Sequence, residues 1–260
     1  VRLLHTSDWH LGRSFHRVSL LDAQAAYLDH LVATVREREV DVVLVAGDVY
    51  DRAVPPLTAV ELFDRALHRL ATAGVPTVMI SGNHDSARRL GVGAGLFERA
   101  GIHLRTDPEG CATPVVLADD HGDVAFYGLP YLEPALVKDA LGAAKAGHEA
   151  VLTAAMDRVR ADLATRPAGT RSVVLAHAFV AGGEPSDSER DITVGGVAAV
   201  PPGSSAVSTT RPSAISTAPS GSRNGSATPA RRSPTPSPRP TTARPCGSST
   251  STPTGTSPPR

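Results

Sequence analysis

From Pro201 to Arg260 the sequence has no Asp, Glu, Lys, Leu, Phe, Tyr or His, and its only large aliphatic residues are Val207 and Ile215. A stretch with so little to bury cannot build a core, and its aperiodic Ser, Thr, Pro, Arg and Gly composition reads as a disordered tail over residues 201–260. Cysteine is nearly as scarce: Cys111 and Cys246 are too few and too far apart for a disulfide framework or a zinc site, which fits a reducing compartment. No apolar run approaches the length of a membrane span, and Val1 opens directly into a strand-like run without a basic and apolar leader. A soluble, cytoplasmic chain with no membrane partner is therefore expected.

Material for a core is concentrated in residues 1–200. The chain of 260 residues is 41% hydrophobic and formally neutral, but seven arginines lie in the acid-free tail, leaving 19 basic against 26 acidic residues in the first 200. A body with a balance of −7 has no global attraction for nucleic acid, so any such contact needs local basic patches.

Apolar runs and helical spacing alternate along the first hundred residues. Leu3-Leu4-His5-Thr6 reads as a strand, and Leu20 to Glu39 as a helix carrying Leu21, Ala25, Leu28, Leu31, Val32 and Val35 on one face. Val40 to Ala46 has the composition of a buried parallel strand. Thr58 is the expected N-cap of a second helix running to Gly74, Val75 to Ile80 is a third strand, and a shorter helix follows from Ala87 to about Ala100. This order favours a parallel sheet with right-handed crossovers, an α/β architecture. Short apolar runs at Ile102 to Leu104, Val115 to Leu117 and Val124 to Leu129 read as antiparallel strands. A long helix over His148 to Ala164 then leads to a buried strand, Ser172 to Ala176, with a surface loop expected at Ser186 to Asp191.

Four strand ends carry ligand chemistry: Asp8-Trp9-His10, Gly47-Asp48, Gly82-Asn83-His84-Asp85 and His177. Open α/β sheets bind ligands at these carboxyl edges. A lone Asp8 or Asp48 would more often cap a turn, and a lone His177 would more often be a satisfied core residue; together they form a mixed oxygen and nitrogen set suited to Mn²⁺, Fe²⁺ or Zn²⁺. Asp48 is the natural bridge between two ions, which in such centres sit about 3.5–4 Å apart and stabilise charge on a phosphoryl group. His84 is placed to address the substrate, protonating a leaving oxygen or stabilising the transition state. The remaining histidines lack such company, and Trp9 is expected to pack beneath the site.

Asp8-x-His10, Gly47-Asp48, Gly82-Asn83-His84-Asp85 and the later His177 resemble the calcineurin-like metallophosphoesterase superfamily. The segments Leu4 to Gly12 and Ala46 to Asp51 narrow the resemblance to the SbcD nuclease subunits, over residues 1–200. It implies a two-sheet β-sandwich flanked by helices, here incomplete at its C-terminus. It also implies two divalent ions, with Mn²⁺ expected, one held by Asp8, His10 and Asp48 and the other by Asp48, Asn83 and His177, and His84 as the catalytic histidine. Asp51 stands where some relatives carry histidine. Arg13, Arg52, Arg88 and Arg89 follow the metal loops in sequence and are candidate DNA contacts, with solvated surface arginines as the alternative. The implied activity is hydrolysis of DNA phosphodiesters, as 3'-5' double-strand exonuclease and single-strand or hairpin endonuclease, in recombination, replication and repair. The implied partners are DNA and an SbcC-like ATPase, in a heterotetramer built on a nuclease dimer. Another phosphoesterase acting on nucleotides or phosphomonoesters, or a non-catalytic truncated binding module, are the alternatives.

The family pattern continues after His177 with a Gly-His-x-His motif that completes both metals, and this chain has no histidine beyond His177. In GC-rich codons, Ser213 to Ala218 can be written so that the neighbouring frame reads Gly-His-Leu-His-Gly. Ser226 to Ser237 and Gly203 to Thr210 also shift into plausible continuations. Residues 201–260 are accordingly expected to be an off-frame translation beginning near Pro201-Pro202, and the chain as written to bind metal weakly.

Overall fold

Every residue of the strand Val42–Ala46 is buried, yet its side chains serve two cores: Val43 and Val45 join one, and Val42, Leu44 and Ala46 join another. A strand covered on both faces must be apolar throughout, which is why this run shows no polar alternation. The computed structural model describes residues 1–178 and the strand Val207–Thr210.

In chain order the elements are β1 (Leu3–Thr6), β2 (Ser14–Phe15), β3 (Val18–Ser19), α1 (Leu21–Glu37), β4 (Val42–Ala46), α2 (Leu57–Thr72), β5 (Thr77–Ile80), α3 (Ala87–Leu90), α4 (Ala94–Phe97), β6 (Ile102–Arg105), β7 (Val115–Asp119), β8 (Gly122–Leu129), α5 (Pro134–Leu141), α6 (His148–Ala164), β9 (Arg171–Ala176) and β10 (Val207–Thr210). One sheet has the order β1-β4-β5-β6 and is parallel throughout. The other has the order β10-β9-β8-β7, in which β8 and β9 are parallel, joined through α5 and α6, and the outer pairings are antiparallel.

The two sheets stack through Leu44, Val78, Ile80, Val124, Phe126 and Leu175. On the far side of the first sheet, Val43, Val45 and Met79 meet Leu28, Leu31 and Val32 of α1 and Leu62, Phe63 and Leu70 of α2. On the far side of the second, Ala125, Tyr127 and Val174 meet α5 and α6 through Val137, Leu141, Val151 and Leu152. The period-two alternation of each strand thus divides its side chains between an inner and an outer layer. The result is the two-sheet sandwich flanked by helices that the sequence motifs implied.

Several local expectations are corrected. The run Ile102 to Leu104 is not antiparallel: β6 pairs in parallel with β5, Thr77 opposite Ile102, because a helical crossover ending at Gly101 (φ 76°) returns the chain to the same edge. The helix expected from Ala87 to Ala100 is broken into α3, α4 and a 3₁₀ turn, Glu98–Ala100, around Gly91 and Gly93. Thr58 does not cap α2; the helix begins two residues earlier than such a cap would place it, at Leu57, with extended Pro56 (ψ 153°) as its N-cap and no side-chain cap bond. The two-residue loop His16-Arg17, both at positive φ, closes the β2–β3 hairpin, which the reading of the sequence did not foresee.

Four residues of the segment read as tail form β10, whose β-branched Val207, Thr209 and Thr210 pair along the edge of β9. Edge pairing uses backbone groups, so a segment without core residues can supply it. The loop expected at Ser186 to Asp191 and the rest of the tail lie outside the described residues. Among the described residues, no helix is long and apolar enough to cross a membrane.

Candidate metal centre

The loops after β1, β4 and β5 meet at one end of the first sheet. Backbone bonds from Asp8 to Gly47 (3.1 Å), His10 to Asp48 (3.0 Å) and Leu11 to Val49 (2.9 Å) lace the first two loops together. Asp8, His10 and Asp48 lie at φ 55°, 43° and 51°, a left-handed region uncommon outside glycine, though Asp and His enter it more readily than most, and one that the surroundings here impose on three ligands at once. Part of that imposition comes from Gln24 on α1. Its Nε2 donates to the carbonyls of Trp9 (3.2 Å) and His10 (2.7 Å), and its Oε1 accepts from Gly12 (3.1 Å). Trp9 is buried beneath this loop, its indole donating to the Thr6 hydroxyl at 3.0 Å.

The Asp48 carboxylate is buried at the middle of the cluster. Its Oδ2 faces Nε2 of His10 at 3.7 Å and Nε2 of His84 at 3.9 Å, whereas its Oδ1 faces Nε2 of His177 at 3.7 Å. The two oxygens therefore serve different neighbours, as a bridging carboxylate requires. Two glycines make the room. A Cβ on Gly82 would stand 2.0 Å from Oδ1 of Asp48, and one on Gly47 (φ 91°) would stand 2.5 Å from Nδ1 of His177. Asp85 clamps the same loops from below, accepting from the backbone of Gly82 (2.9 Å), Val49 (3.0 Å) and Tyr50 (2.8 Å).

Hydrogen bonds fix the tautomers of two histidines. His84 Nδ1 donates to the Asp51 carbonyl at 2.9 Å, which turns Nε2 toward Asp48. His177 Nδ1 donates to the Ala46 carbonyl at 2.8 Å, leaving Nε2 with its lone pair toward Asn83 Oδ1 at 3.0 Å. On the other side, His10 Nε2 lies 3.7 Å from Asp8 Oδ1, and the His10 and His84 rings meet edge to face at 4.7 Å.

These groups fit a divalent cation. Asn83 Oδ1, Asp48 Oδ1 and His177 Nε2 converge, and with Nδ1 donating to the Ala46 carbonyl the neutral His177 ring turns its Nε2 lone pair toward the two oxygens, a donor set that suits a cation. The donor atoms of His10, Asp48 and His84 lie within 4.8 Å of one another. The adjacent His10 imidazole, above all, holds the Asp8 carboxylate down at about 2, and Asp8 in turn raises His10 above its ordinary range.

Of the residues singled out from the sequence, Asp8, His10, Asp48, Asn83, His84 and His177 come together at this centre. Arg13 and Arg52 lie at its rim, each near the Asp51 carboxylate, at 3.9 and 3.6 Å. Arg88 and Arg89 are exposed on α3, and neither forms an ion pair among the described residues. Gln24 and the clamping role of Asp85 escaped the reading of the sequence. An amide within the apolar face of Leu21, Ala25 and Leu28 was the available signal for Gln24.

A family model for calcineurin-like phosphoesterases matches residues 1–142, a span that includes every clustered residue except His177. Among solved structures, the chain is similar to the crystal structure of the protein TT1561 of Thermus thermophilus, at 16% identity and a TM-score of 0.42, over 73% of this chain and 72% of that one. A second crystal structure is similar at 13% identity and a TM-score of 0.37, over 72% of this chain and 73% of the other.

Proposed function

The chain belongs to the calcineurin-like phosphoesterase family, and we propose that it is the nuclease type of that family, an SbcD-like subunit that hydrolyses DNA phosphodiesters. Metal-dependent phosphoester hydrolysis is the chemistry of the family, and the observation that carries it here is Asp48, whose two oxygens face separate donor sets. The narrower reading rests on the segments Leu4 to Gly12 and Ala46 to Asp51, and on the arginines following the metal loops.

Two divalent ions, with Mn²⁺ expected, would supply Lewis acidity and an activated water. Asp8, His10 and Oδ2 of Asp48 would hold one ion, and Oδ1 of Asp48, Asn83 and His177 the other. His84, held at Nδ1 by the Asp51 carbonyl, would present Nε2 to the leaving oxygen or the phosphoryl group. Arg13, Arg52, Arg88 and Arg89 would receive backbone phosphates, which position DNA without reading its sequence. An SbcC-like ATPase and a second nuclease subunit complete the proposed assembly.

The proposal includes the tail. If the reading frame slips near Pro201-Pro202, two metal-binding histidines are hidden in the neighbouring frame, and the 260-residue chain is an impaired enzyme. Sequencing the gene across those codons tests the frame: an open frame encoding this tail, with no insertion or deletion relative to close strains, contradicts it. The activity is tested by assaying the chain and its frame-restored counterpart with Mn²⁺ on hairpin DNA, linear duplex and a small phosphodiester. Hairpin opening by the restored chain, with little by the other, is expected. Cleavage of the small ester or of phosphomonoesters alone would place the protein in another branch of the family.

A further inference from the structure

Asp51 follows the proposed bridging residue by three positions, and its contacts reach both histidines on the Oδ2 side of Asp48. Its backbone N–H is bonded to the Leu11 carbonyl at 3.2 Å, beside a parallel bridge between Leu11 and Tyr50, so it is fixed against the loop that carries His10. Its own carbonyl accepts from Nδ1 of His84 at 2.9 Å. Its carboxylate, 19% exposed, places Oδ1 3.8 Å from Nδ1 of His10.

That His10 nitrogen is the informative atom. It is buried and has no hydrogen-bond partner, although imidazole Nδ1 groups removed from water are nearly always paired. Nε2 of the same ring points at Asp8 and Asp48, both at 3.7 Å, so Nε2 is the nitrogen offered to a cation and Nδ1 is the one left to carry hydrogen. A histidine ligating through one nitrogen is normally oriented by an acceptor on the other, most often a carboxylate or a carbonyl. Asp51 is the carboxylate within ion-pair distance of Nδ1, and a side-chain adjustment of less than about one ångström brings its oxygen from 3.8 Å into hydrogen-bond range. Arg13 Nε and Arg52 Nη2, at 3.9 and 3.6 Å, flank the same carboxylate at the rim.

We propose that Asp51 is a positioning residue for both histidines: its carboxylate orients His10 through Nδ1 while its carbonyl orients His84, so that both Nε2 atoms face Asp48. The inference rests on the metal-centre reading given above for what His10 does, but the orientation of His10 is a property of the metal-free chain.

The test uses the full chain and three variants, Asp51→Ala, Asp51→Asn and Asp51→Glu. The His10 imidazole is followed by ¹⁵N NMR at alkaline pH, assigned with His10→Gln, and Mn²⁺ binding is followed by calorimetry. In the metal-free parent chain hydrogen at Nε2, which faces Asp8 and Asp48, competes with hydrogen at Nδ1, which faces Asp51, and a measurable share of the Nδ1–H tautomer is expected. Asp51→Ala and Asp51→Asn should shift the balance toward Nε2–H and weaken Mn²⁺ association by about 10–100-fold, with partial recovery in Asp51→Glu. Arg13→Ala combined with Arg52→Ala should leave the tautomer as it is. An unchanged tautomer balance in Asp51→Ala, which removes the acceptor altogether, overturns the inference, whether Mn²⁺ affinity falls or not. Absence of Mn²⁺ binding by both the parent chain and its frame-restored counterpart would count against the metal reading, while the tautomer comparison would still decide the role of Asp51.

Discussion

Asp48 and His84 are joined at two points: the backbone N–H of His84 donates to Oδ1 of Asp48 at 2.9 Å, and its Nε2 faces Oδ2 of the same carboxylate at 3.9 Å. The first contact fixes the carboxylate, and the second places the imidazole beside the face that would hold a cation. Binding and turnover should therefore separate on mutation. Asp48→Ala is expected to abolish measurable Mn²⁺ association. His84→Ala in the frame-restored chain should leave Mn²⁺ affinity within about threefold and reduce turnover on DNA by about 10²–10⁴, the range for loss of a positioned acid or base. Calorimetry and single-turnover cleavage distinguish the two, and equal loss of metal by both variants would remove the distinction.

The glycines that admit Asp48 and His177 give a second prediction. A methyl group on Gly82 meets Asp48 Oδ1 and backbone at 2.0 and 2.3 Å, which no side-chain rotation relieves. Gly47→Ala adds a strained φ of 91° to a clash with the His177 ring. Each substitution should cost more than about 2 kcal/mol of stability, measured by denaturant unfolding. Gly74→Ala supplies a useful contrast, since its φ of 68° is similarly unfavourable but nothing lies within 4 Å of the added atom.

Gln24 provides a third. Its amide makes three bonds to the Asp8–Gly12 loop from outside the centre, so Gln24→Ala should lower stability by about 1–2 kcal/mol and also weaken Mn²⁺ binding. Gln24→Glu retains the length but replaces the two donated bonds with repulsion toward the Trp9 and His10 carbonyls, and is expected to be worse. A stability loss with unchanged Mn²⁺ affinity in both variants would show that the strained loop holds its shape unaided.

The ligand set was legible because each member sits where an apolar run stops: β1 before Asp8, β4 before Asp48, β5 before Asn83 and β9 before His177. Strand ends and residue types are local properties, visible in a single sequence. The direction of β6 was not, since four residues of alternating burial fit either orientation and the choice lies in the crossover that precedes them. The breaks at Gly91 and Gly93 were masked by the apolar Val92, Leu96 and Phe97, which suggest helical continuity. Gln24 and Asp85 act through backbone groups of other loops, so their roles depend on tertiary neighbours that spacing does not encode.

A pH prediction concerns the far side of the second sheet. Asp162 on α6 accepts from the Tyr127 hydroxyl at 2.7 Å and pairs with Arg166 through both oxygens, at 2.7 and 3.1 Å. Arg166 above all holds the Asp162 carboxyl below its usual range. Because the folded-state pKa is depressed, this stabilisation is complete above the unfolded value near 3.8 and is lost as pH falls through the lower folded value. The unfolding midpoint of Asp162→Asn should therefore lie below that of the parent at pH 7, and the gap should narrow below about pH 4. A gap that stays constant from pH 7 to pH 3 would assign the effect to packing around Tyr127.

The central claim is that Asp48 divides two cation sites between its two oxygens. Anomalous diffraction from crystals equilibrated with millimolar Mn²⁺ tests it directly. Two peaks are expected in contact with Asp48, one against Oδ2 with Asp8 and His10, the other against Oδ1 with Asn83 and His177. Saturating Mn²⁺ with no peak within coordination distance of Asp48, or with peaks only among surface carboxylates, would contradict it.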